Sequence, residues 1–361
     1  MKILFISLGC DKNLADSEEM LGLLTGSGHE IVDSEEEAEA IVVNTCCFIH
    51  DAKEESINTI LEMAEYKKSG ICQVLIVTGC MAQRYKEEIV QEIPEVDAVL
   101  GTTSYDDIVQ ALNEASAGKH FEEFKDINSL PEESGRRVIT TGGHFGYLKI
   151  AEGCDKHCTY CIIPSLRGNF RSVPEERLLA QAEYMASQGV KELILVAQET
   201  TVYGTDLYGK KTLHLLLKKL CQIKGIRWIR ILYCYPEEIY DELIQVMKEE
   251  KKICHYLDLP IQHCSDRILK RMGRRTSKAQ LVEIITKLRK EIPDIVLRTS
   301  LITGFPGETE EDHQELMEFV DEMEFDRLGV FTYSPEEDTP AATMKDQVPE
   351  ELKEERRDEI M

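Results

Sequence analysis

Over the first third of the chain, short apolar runs rich in β-branched side chains alternate with longer stretches in which apolar residues recur at helical spacing. Ile3–Ser7, Ala40–Val43, Val74–Val77 and Ala98–Leu100 are continuous rather than alternating and are flanked by turn or cap residues. They read as parallel strands buried on both faces. Between them lie helical stretches such as Asn13–Gly26, where Leu14, Met20, Leu21, Leu23 and Leu24 form an apolar stripe and Gly26 supplies a stop. Alternating β and α predicts an open, doubly wound parallel sheet over 1–114.

Residues 115–140 break the pattern. They carry Ala, Gly, Glu and Asp with little periodicity, include LPEESGRR, and are expected to be an exposed inter-domain connection. Strand-like runs then resume at Tyr147–Ala151, Leu193–Ala197, Trp228–Leu232, Tyr256–Ile261, Val296–Thr303 and Leu328–Tyr333. Helical segments fall between them near 174–188, 212–223, 237–250, 276–290 and 309–324. A closed barrel of this kind needs eight strand–helix units and ~250 residues. With six, a partial, open (β/α)6 barrel over 141–345 is the better fit, and its open side would leave a mouth wide enough for a macromolecular substrate.

Length agrees with this division, since 361 residues is the natural size for two domains of ~100–200 residues each. The opening MKILFISLGC has one lysine and an apolar run that breaks at Gly9, and no later run approaches the ~20 residues of a membrane span. A cytoplasmic, monomeric protein with no membrane partner is expected. Lys and Arg number 42 against 67 Asp and Glu, and the net charge of −25 disfavours a broad phosphate-binding surface while favouring basic partners. Solubility alone would also account for the charge. The Lys- and Arg-rich stretch Arg267–Lys278 cuts the other way, although such runs usually solvate a helix and turn.

Cysteine changes the picture most. Twelve in a chain of this length suggest reduced thiols, some of them metal ligands. Cys154, Cys158 and Cys161 form a CxxxCxxC run directly after the first barrel strand, at the carboxyl face where barrel active sites lie. Three thiolates can hold three irons of a cubane and leave the fourth open to a substrate or cofactor. The competing reading is a zinc site recruiting His157, but structural zinc usually takes two separated ligand pairs. A second set follows the N-terminal strands: Cys10 in SLGC, Cys46 in VVNTCC and Cys80 in IVTGC. In a doubly wound sheet such strand ends converge. A lone cysteine is usually core, but three at equivalent strand ends suggest a second metal site. Cys47 could replace Cys46, although neighbours on an extended segment point to opposite faces and only one should reach the site. Cys72, Cys221, Cys234, Cys254 and Cys264 sit in or beside apolar stretches and read as core thiols, with Cys264 near a strand end. His144, His157 and His263 lie near predicted loops at the active face and are given no role.

The CxxxCxxC spacing with Tyr160 before the last cysteine resembles the radical S-adenosylmethionine (SAM) superfamily, in which SAM chelates the open iron. Tyr160 is placed to pack on adenine. Gln198, followed by Glu199, stands after LILVA, and Thr303–Gly304 with Phe305, Pro306 and Gly307 closes the fifth strand as TGFPGE. Glycine there permits close approach of a nucleoside. The same segment also reads as a tight turn before a helix capped at Thr309.

An N-terminal domain carrying SLGC, NTCCF and TGCMAQ ahead of CxxxCxYC looks like the radical SAM methylthiotransferases, which insert a CH3–S group into an unactivated C–H bond. The resemblance runs from Met1 to about Met344. SLGCDKNLADSE, IIPSLRG, YCYPEEI, LDLPIQHCSDRILKRMGRRT and GVFTYSPEEDTPAA are similar to the branch that modifies an aspartate of ribosomal protein S-twelve. The tRNA-modifying branch tends toward a YGCQMN-like opening instead. The resemblance implies two [4Fe-4S] clusters. The one on Cys154, Cys158 and Cys161 would donate an electron to SAM, and the resulting 5′-deoxyadenosyl radical would abstract hydrogen from the aspartate β-carbon. The one on Cys10, Cys46 and Cys80 would hold an exogenous sulfide that a second SAM methylates. It also implies a sulfur donor and an electron donor such as flavodoxin or ferredoxin. The family usually ends in a small β-barrel TRAM domain. Here the sequence ends at VPEELKEERRDEIM, so residues 346–361 are expected to be a truncated helical link toward an absent TRAM domain. Two alternatives remain: a tRNA adenosine methylthiotransferase, and a non-catalytic iron–sulfur or zinc protein.

Overall fold

The β-branched runs of the N-terminal third form a fully parallel sheet in the computed structural model, which describes residues 1–132, 135 and 137–361. Its strands are β1 (Lys2–Ser7), β2 (Glu30–Val32), β3 (Ala40–Thr45), β4 (Val74–Gly79), β5 (Ala98–Leu100) and β6 (Phe121–Glu123), in the order β2-β1-β3-β4-β5-β6. Every residue of β3 and β4 is buried, which is why these strands appear in sequence as unbroken apolar runs. Met20 and Leu24 of the helix Asp11–Gly26 pack with Ile3, Val42 and Ile76 from the sheet and Leu112 from the helix Ile108–Ser116. Because β1 lies between β2 and β3, the winding reverses between β1 and β3, and such a reversal opens a crevice at the carboxyl ends of the strands.

β2 and β6 are additions to the expected set. Each is a three-residue edge strand that pairs through its backbone ladder and packs one side chain, Ile31 or Phe121, on the core, with β6 pairing Phe121 with Ala98 and Glu123 with Leu100. β6 falls inside 115–140, so that stretch is part sheet and not only connection. Its far end is fastened too: Arg137 pairs with the buried Glu18 at 2.6 Å, and Thr140 N–H and Oγ1 donate to the same carboxylate at 2.7 and 2.8 Å. Residues 133, 134 and 136 of the expected connection lie outside the described residues. The first compact unit accordingly comprises Met1–Gly142 together with Ile163–Asn169, a segment that had been expected to belong to the barrel. The short helix Ile163–Arg167 is held there by Thr102, whose hydroxyl donates to the Leu166 carbonyl at 2.8 Å.

The second unit, Gly143–Ile162 with Phe170–Met361, is built on β7 (Phe145–Lys149), a small antiparallel pair β8 (Ala151–Glu152) and β9 (Arg171–Ser172), and then β10 (Glu192–Val196), β11 (Trp228–Ile231), β12 (Ile253–Asp258), β13 (Val296–Thr303) and β14 (Arg327–Thr332). The six long strands are all parallel in the order β14-β13-β12-β11-β10-β7, an open row as the six-unit count predicts. The β8–β9 pair was not expected, because two-residue strands carry no pattern. The terminal helix Glu350–Ile360 is an integral part of this unit and not a bare link. Its Lys353 is buried and donates to the Tyr333 carbonyl at 2.9 Å, while the buried Arg356 reaches Glu308 at 3.0 Å. Among the described residues no helix is long and apolar enough to cross a membrane.

Candidate functional site

In the first unit, the loops after β1, β3 and β4 bring Cys10, Cys46 and Cys80 to one sheet edge, at the switch between β1 and β3. Asn13 ties these loops together. Its Nδ2 donates to the Leu8 carbonyl at 3.0 Å and the Thr45 carbonyl at 2.8 Å, and its Oδ1 lies 4.0 Å from Cys80 Sγ. Ser56 fixes the backbone at Cys46, accepting from its N–H at 3.0 Å and donating to its carbonyl at 2.7 Å. The two glycines that precede cysteines are both sterically required. Gly9 has φ +86°, and a Cβ there would come within 2.6 Å of Cys46 Cβ; Gly79 has φ +93°, and a Cβ there would meet Asn44 Oδ1 at 2.3 Å.

A buried arginine joins the thiols. Arg167, from Ile163–Arg167, donates from Nε to Cys80 Sγ at 3.4 Å and pairs through Nη1 with Asp16 at 2.8 Å, and its Nη2 bonds Asn13 Oδ1. Burial, with Cys80 and Cys10 nearby, pushes the Cys46 thiol up to about 11, and Arg167 partly offsets this. Cys47, the possible replacement for Cys46, is buried. Burial and then Cys80 push its thiol up, and Arg84 hydrogen-bonds to it.

In the second unit, the CxxxCxxC loop follows β8. Cys154 and Cys158 are buried and Cys161 is partly so. The loop is held from outside its own sequence: Thr159 N–H donates to the Met272 carbonyl at 2.9 Å, Thr159 Oγ1 to the Arg271 carbonyl at 2.8 Å, and Ala341 N–H to the Thr159 carbonyl at 2.9 Å. His157 adopts φ +50°, a left-handed conformation that marks local strain inside the motif. Burial and then Cys158 and Glu199 push the Cys154 thiol up to about 11, against a backbone N–H at Lys156. Tyr235 Oη lies 3.7 Å from Cys158 Sγ, and the buried Arg274 stacks over the Tyr235 ring at 4.2 Å.

The expected SAM contacts are placed as follows. Tyr160 packs edge-on against Phe305, with centroids 6.4 Å apart, in a cluster with Ile268, Met272 and Tyr333. Gln198 follows β10 and donates to Glu152 at 2.8 Å. Glu199 is buried, accepts from Thr201 N–H at 2.9 Å, and is pushed up to about 7 by burial against the pull of Thr201 and Lys156. Among the described residues, Gln198 Oε1 and Glu199 Oε2 are buried without a hydrogen-bond partner. Gly304 has φ +69°, its missing Cβ makes room for Lys353, and its N–H donates to Glu308 at 2.9 Å. Thr309 caps the following helix Glu310–Met323 in a reciprocal capping box with Asp312.

Comparison with known proteins follows this geometry. Residues 2–101 match the Uncharacterized protein family UPF0004 and residues 148–320 the Radical SAM superfamily. A protein of Lachnoclostridium phytofermentans named ribosomal protein uS12 methylthiotransferase RimO is 70% identical over 361 residues, covering 100% of this chain and 82% of that protein. The chain belongs to the RimO family of radical SAM methylthiotransferases. A protein of the same name from Acetivibrio thermocellus is 54% identical, over 100% of this chain and 81% of its own length. Among solved structures, the radical SAM methyltransferase TsrM of Kitasatospora setae aligns with TM-score 0.65 at 14% identity, over 94% of this chain and 76% of that one. At that identity it shows the fold alone. The protein is thus a radical SAM enzyme of the methylthiotransferase class, a class that works with an iron–sulfur cluster and SAM.

The residues present fit those groups. Sulfur-only donor sets suit iron–sulfur chemistry, and a buried thiol that resists ionisation alone is ionised outright by a coordinating cation. Gln198 Oε1 lacks the donor that an ammonium or ribose hydroxyl would bring, and Glu199 Oε2 has no hydrogen bond but faces the Lys156 ammonium at 4.0 Å. Among the described residues no three cysteine, histidine or carboxylate side chains are closed around a point as metal ligands. Sequence reasoning missed Asn13, Arg167, Lys156, Tyr235 and Arg274. Each lies within or beside a motif quoted above, Asn13 in SLGCDKNLADSE, Lys156 inside CxxxCxxC, Arg167 in IIPSLRG, Tyr235 in YCYPEEI and Arg274 in LDLPIQHCSDRILKRMGRRT, but none carried a role there. The basic run Arg267–Lys278 is largely turned to internal use: Arg267 bonds Gly307 and Asp312, Arg271 the Pro306 carbonyl, Arg274 the Pro260 carbonyl, and Lys278 Glu315.

Proposed function

We propose that the protein attaches a methylthio group to the β-carbon of an aspartate in ribosomal protein uS12, using two [4Fe-4S] clusters, SAM and a sulfur donor. The observation that carries this reading is the pair of three-cysteine sets, one in the loops after β1, β3 and β4 of a parallel sheet and the other in the single loop after β8. Cys154, Cys158 and Cys161 would hold one cluster and Cys10, Cys46 and Cys80 the other. When bound, these groups supply the electron that cleaves SAM and the radical that an unactivated C–H bond requires. The chain's part is to orient and to divide. Three ligands in place of four leave one coordination position per set, for SAM in the second unit and for exogenous sulfide in the first. Tyr160, Gln198 and Gly304 are the residues proposed to contact SAM, with Glu199 beside them as a buried acceptor. The names of the relatives and the net charge of −25 both favour a basic protein substrate over tRNA.

The test incubates anaerobically reconstituted enzyme with SAM, sulfide, a reductant and either uS12 or tRNA. A methylthio gain on uS12, mapped to one aspartate, is expected, and a gain on tRNA alone would reverse the substrate assignment. Cys10→Ala is expected to release 5′-deoxyadenosine from SAM yet attach no sulfur. Loss of both activities with the fold intact would contradict the division between the two sets.

A further inference from the structure

Arg167 belongs to neither ligand set, yet it touches one of them from a segment distant from all three cysteines involved. We propose that Arg167 is a positioning residue of the N-terminal thiol set, its guanidinium holding Cys80 and raising the reduction potential of the cluster carried there. This rests on the two-cluster reading above.

Burying a guanidinium is costly unless each face of it is answered. Here the answers come in three directions: Asp16 at 2.8 Å on Nη1, Asn13 Oδ1 on Nη2, and Cys80 Sγ at 3.4 Å on Nε. A lysine could not address all three, because its charge is a point and not a planar fork. Asn13 is itself pinned to the backbone after β1 and at the end of β3, so the guanidinium is fixed relative to all three cysteine-bearing loops. A cluster on three thiolates is anionic, and net charge and hydrogen bonds to sulfur are among the levers on its potential. Reduction adds negative charge. A fixed cation with an N–H aimed at a ligand sulfur therefore favours the reduced form, and Asp16 tempers that effect by neutralising the cation. The two residues should act on the potential with opposite signs, which a merely structural role for either would not produce.

The experiment uses the full chain carrying Cys154→Ala, Cys158→Ala and Cys161→Ala, reconstituted anaerobically with iron and sulfide, so that only the N-terminal set can hold a cluster. Iron content and a redox titration followed by electron paramagnetic resonance are measured with Arg167→Met, Arg167→Lys and Asp16→Asn added singly. Arg167→Met is expected to lower the midpoint by about tenfold in the one-electron equilibrium, ~59 mV. Asp16→Asn is expected to raise it, and Arg167→Lys to fall between Arg167→Met and the parent. Iron-loaded Arg167→Met and Asp16→Asn that titrate with the parent would overturn the proposal. Should Arg167→Met fail to fold or to take up iron, Asp16→Asn decides: a raised midpoint supports the proposal, and an unmoved or lowered one overturns it. A parent that binds no iron with Arg167 in place would instead sink the two-cluster reading itself, and this proposal with it.

Discussion

Glu199 illustrates how a single side chain is set by its surroundings. Burial raises its carboxyl from an ordinary 4.5 to about 7, and Thr201 and Lys156 only partly oppose this. Between those pH values the folded protein retains a proton that the unfolded chain has released. Stability is therefore highest below the lower value and falls as pH rises to about 7, by about 3 kcal/mol in all. Glu199→Gln cannot titrate. In the cofactor-free protein, urea denaturation should show the variant gaining about 3 kcal/mol on the parent between pH 5 and pH 8, and a gap that does not change with pH would refute the assignment. The carboxyl was visible in sequence only as a neighbour of Gln198; its burial was not. The six cysteines were legible as candidates, because spacing and strand-end position single them out. Arg167 and Arg274 were not, because an arginine becomes part of a site only when tertiary structure removes it from water and gives it a partner. Gly9 and Gly79 were half-legible: the sequence showed a glycine before each of two cysteines at strand ends, and only the structure shows that Cys46 and Asn44 occupy the space a Cβ would need.

At the scale of the element, pattern reading succeeded where burial is continuous and failed where the piece is too short to carry a pattern. β3 and β4 announce themselves through side chains, whereas β2, β6 and the β8–β9 pair have two or three residues each and too few side chains to form a period. The terminal helix Glu350–Ile360 was expected as a helix, but its docking escaped for a different reason. What docks it is charge: Lys353 lies under Tyr333, and Arg356 meets the buried Glu308, so its binding face reads as polar. Burial pushes the Glu308 carboxyl up, yet His263, the Gly304 N–H and Arg356 outweigh it and hold the group below its ordinary range. Arg356→Met would strip one cation from this buried network and leave Glu308 undercompensated. A loss of about 3 kcal/mol in urea denaturation is expected. Because Glu308 accepts from the Gly304 and Phe305 N–H groups, the loss should come with a weaker apparent affinity for SAM. Unchanged stability would show that the helix docks by other means.

For the whole molecule, alternation of β and α was enough to predict two parallel sheets, and the count of six strand–helix units enough to predict an open barrel. The boundary was not legible, since 115–140 lacks periodicity while still contributing β6 and the Arg137–Glu18 pair. Charge is the remaining property of the whole chain, and it bears on the proposed substrate. With a net −25, the protein attracts a basic protein at long range and repels polyanions. That attraction acts on the rate of encounter, and it is screened once the Debye length shrinks from ~30 Å at 0.01 M salt to ~10 Å at 0.1 M. Raising the salt across this range should therefore lower kcat/KM for uS12 by about tenfold, within the span electrostatic steering provides. Cleavage of saturating SAM in the absence of uS12 involves no such encounter and should stay constant, which separates screening from damage to the enzyme. A tRNA substrate would give the opposite sign, because salt relieves repulsion between like charges. A kcat/KM for uS12 that does not respond to salt would show that the charge serves solubility alone and leaves recognition to short-range contacts.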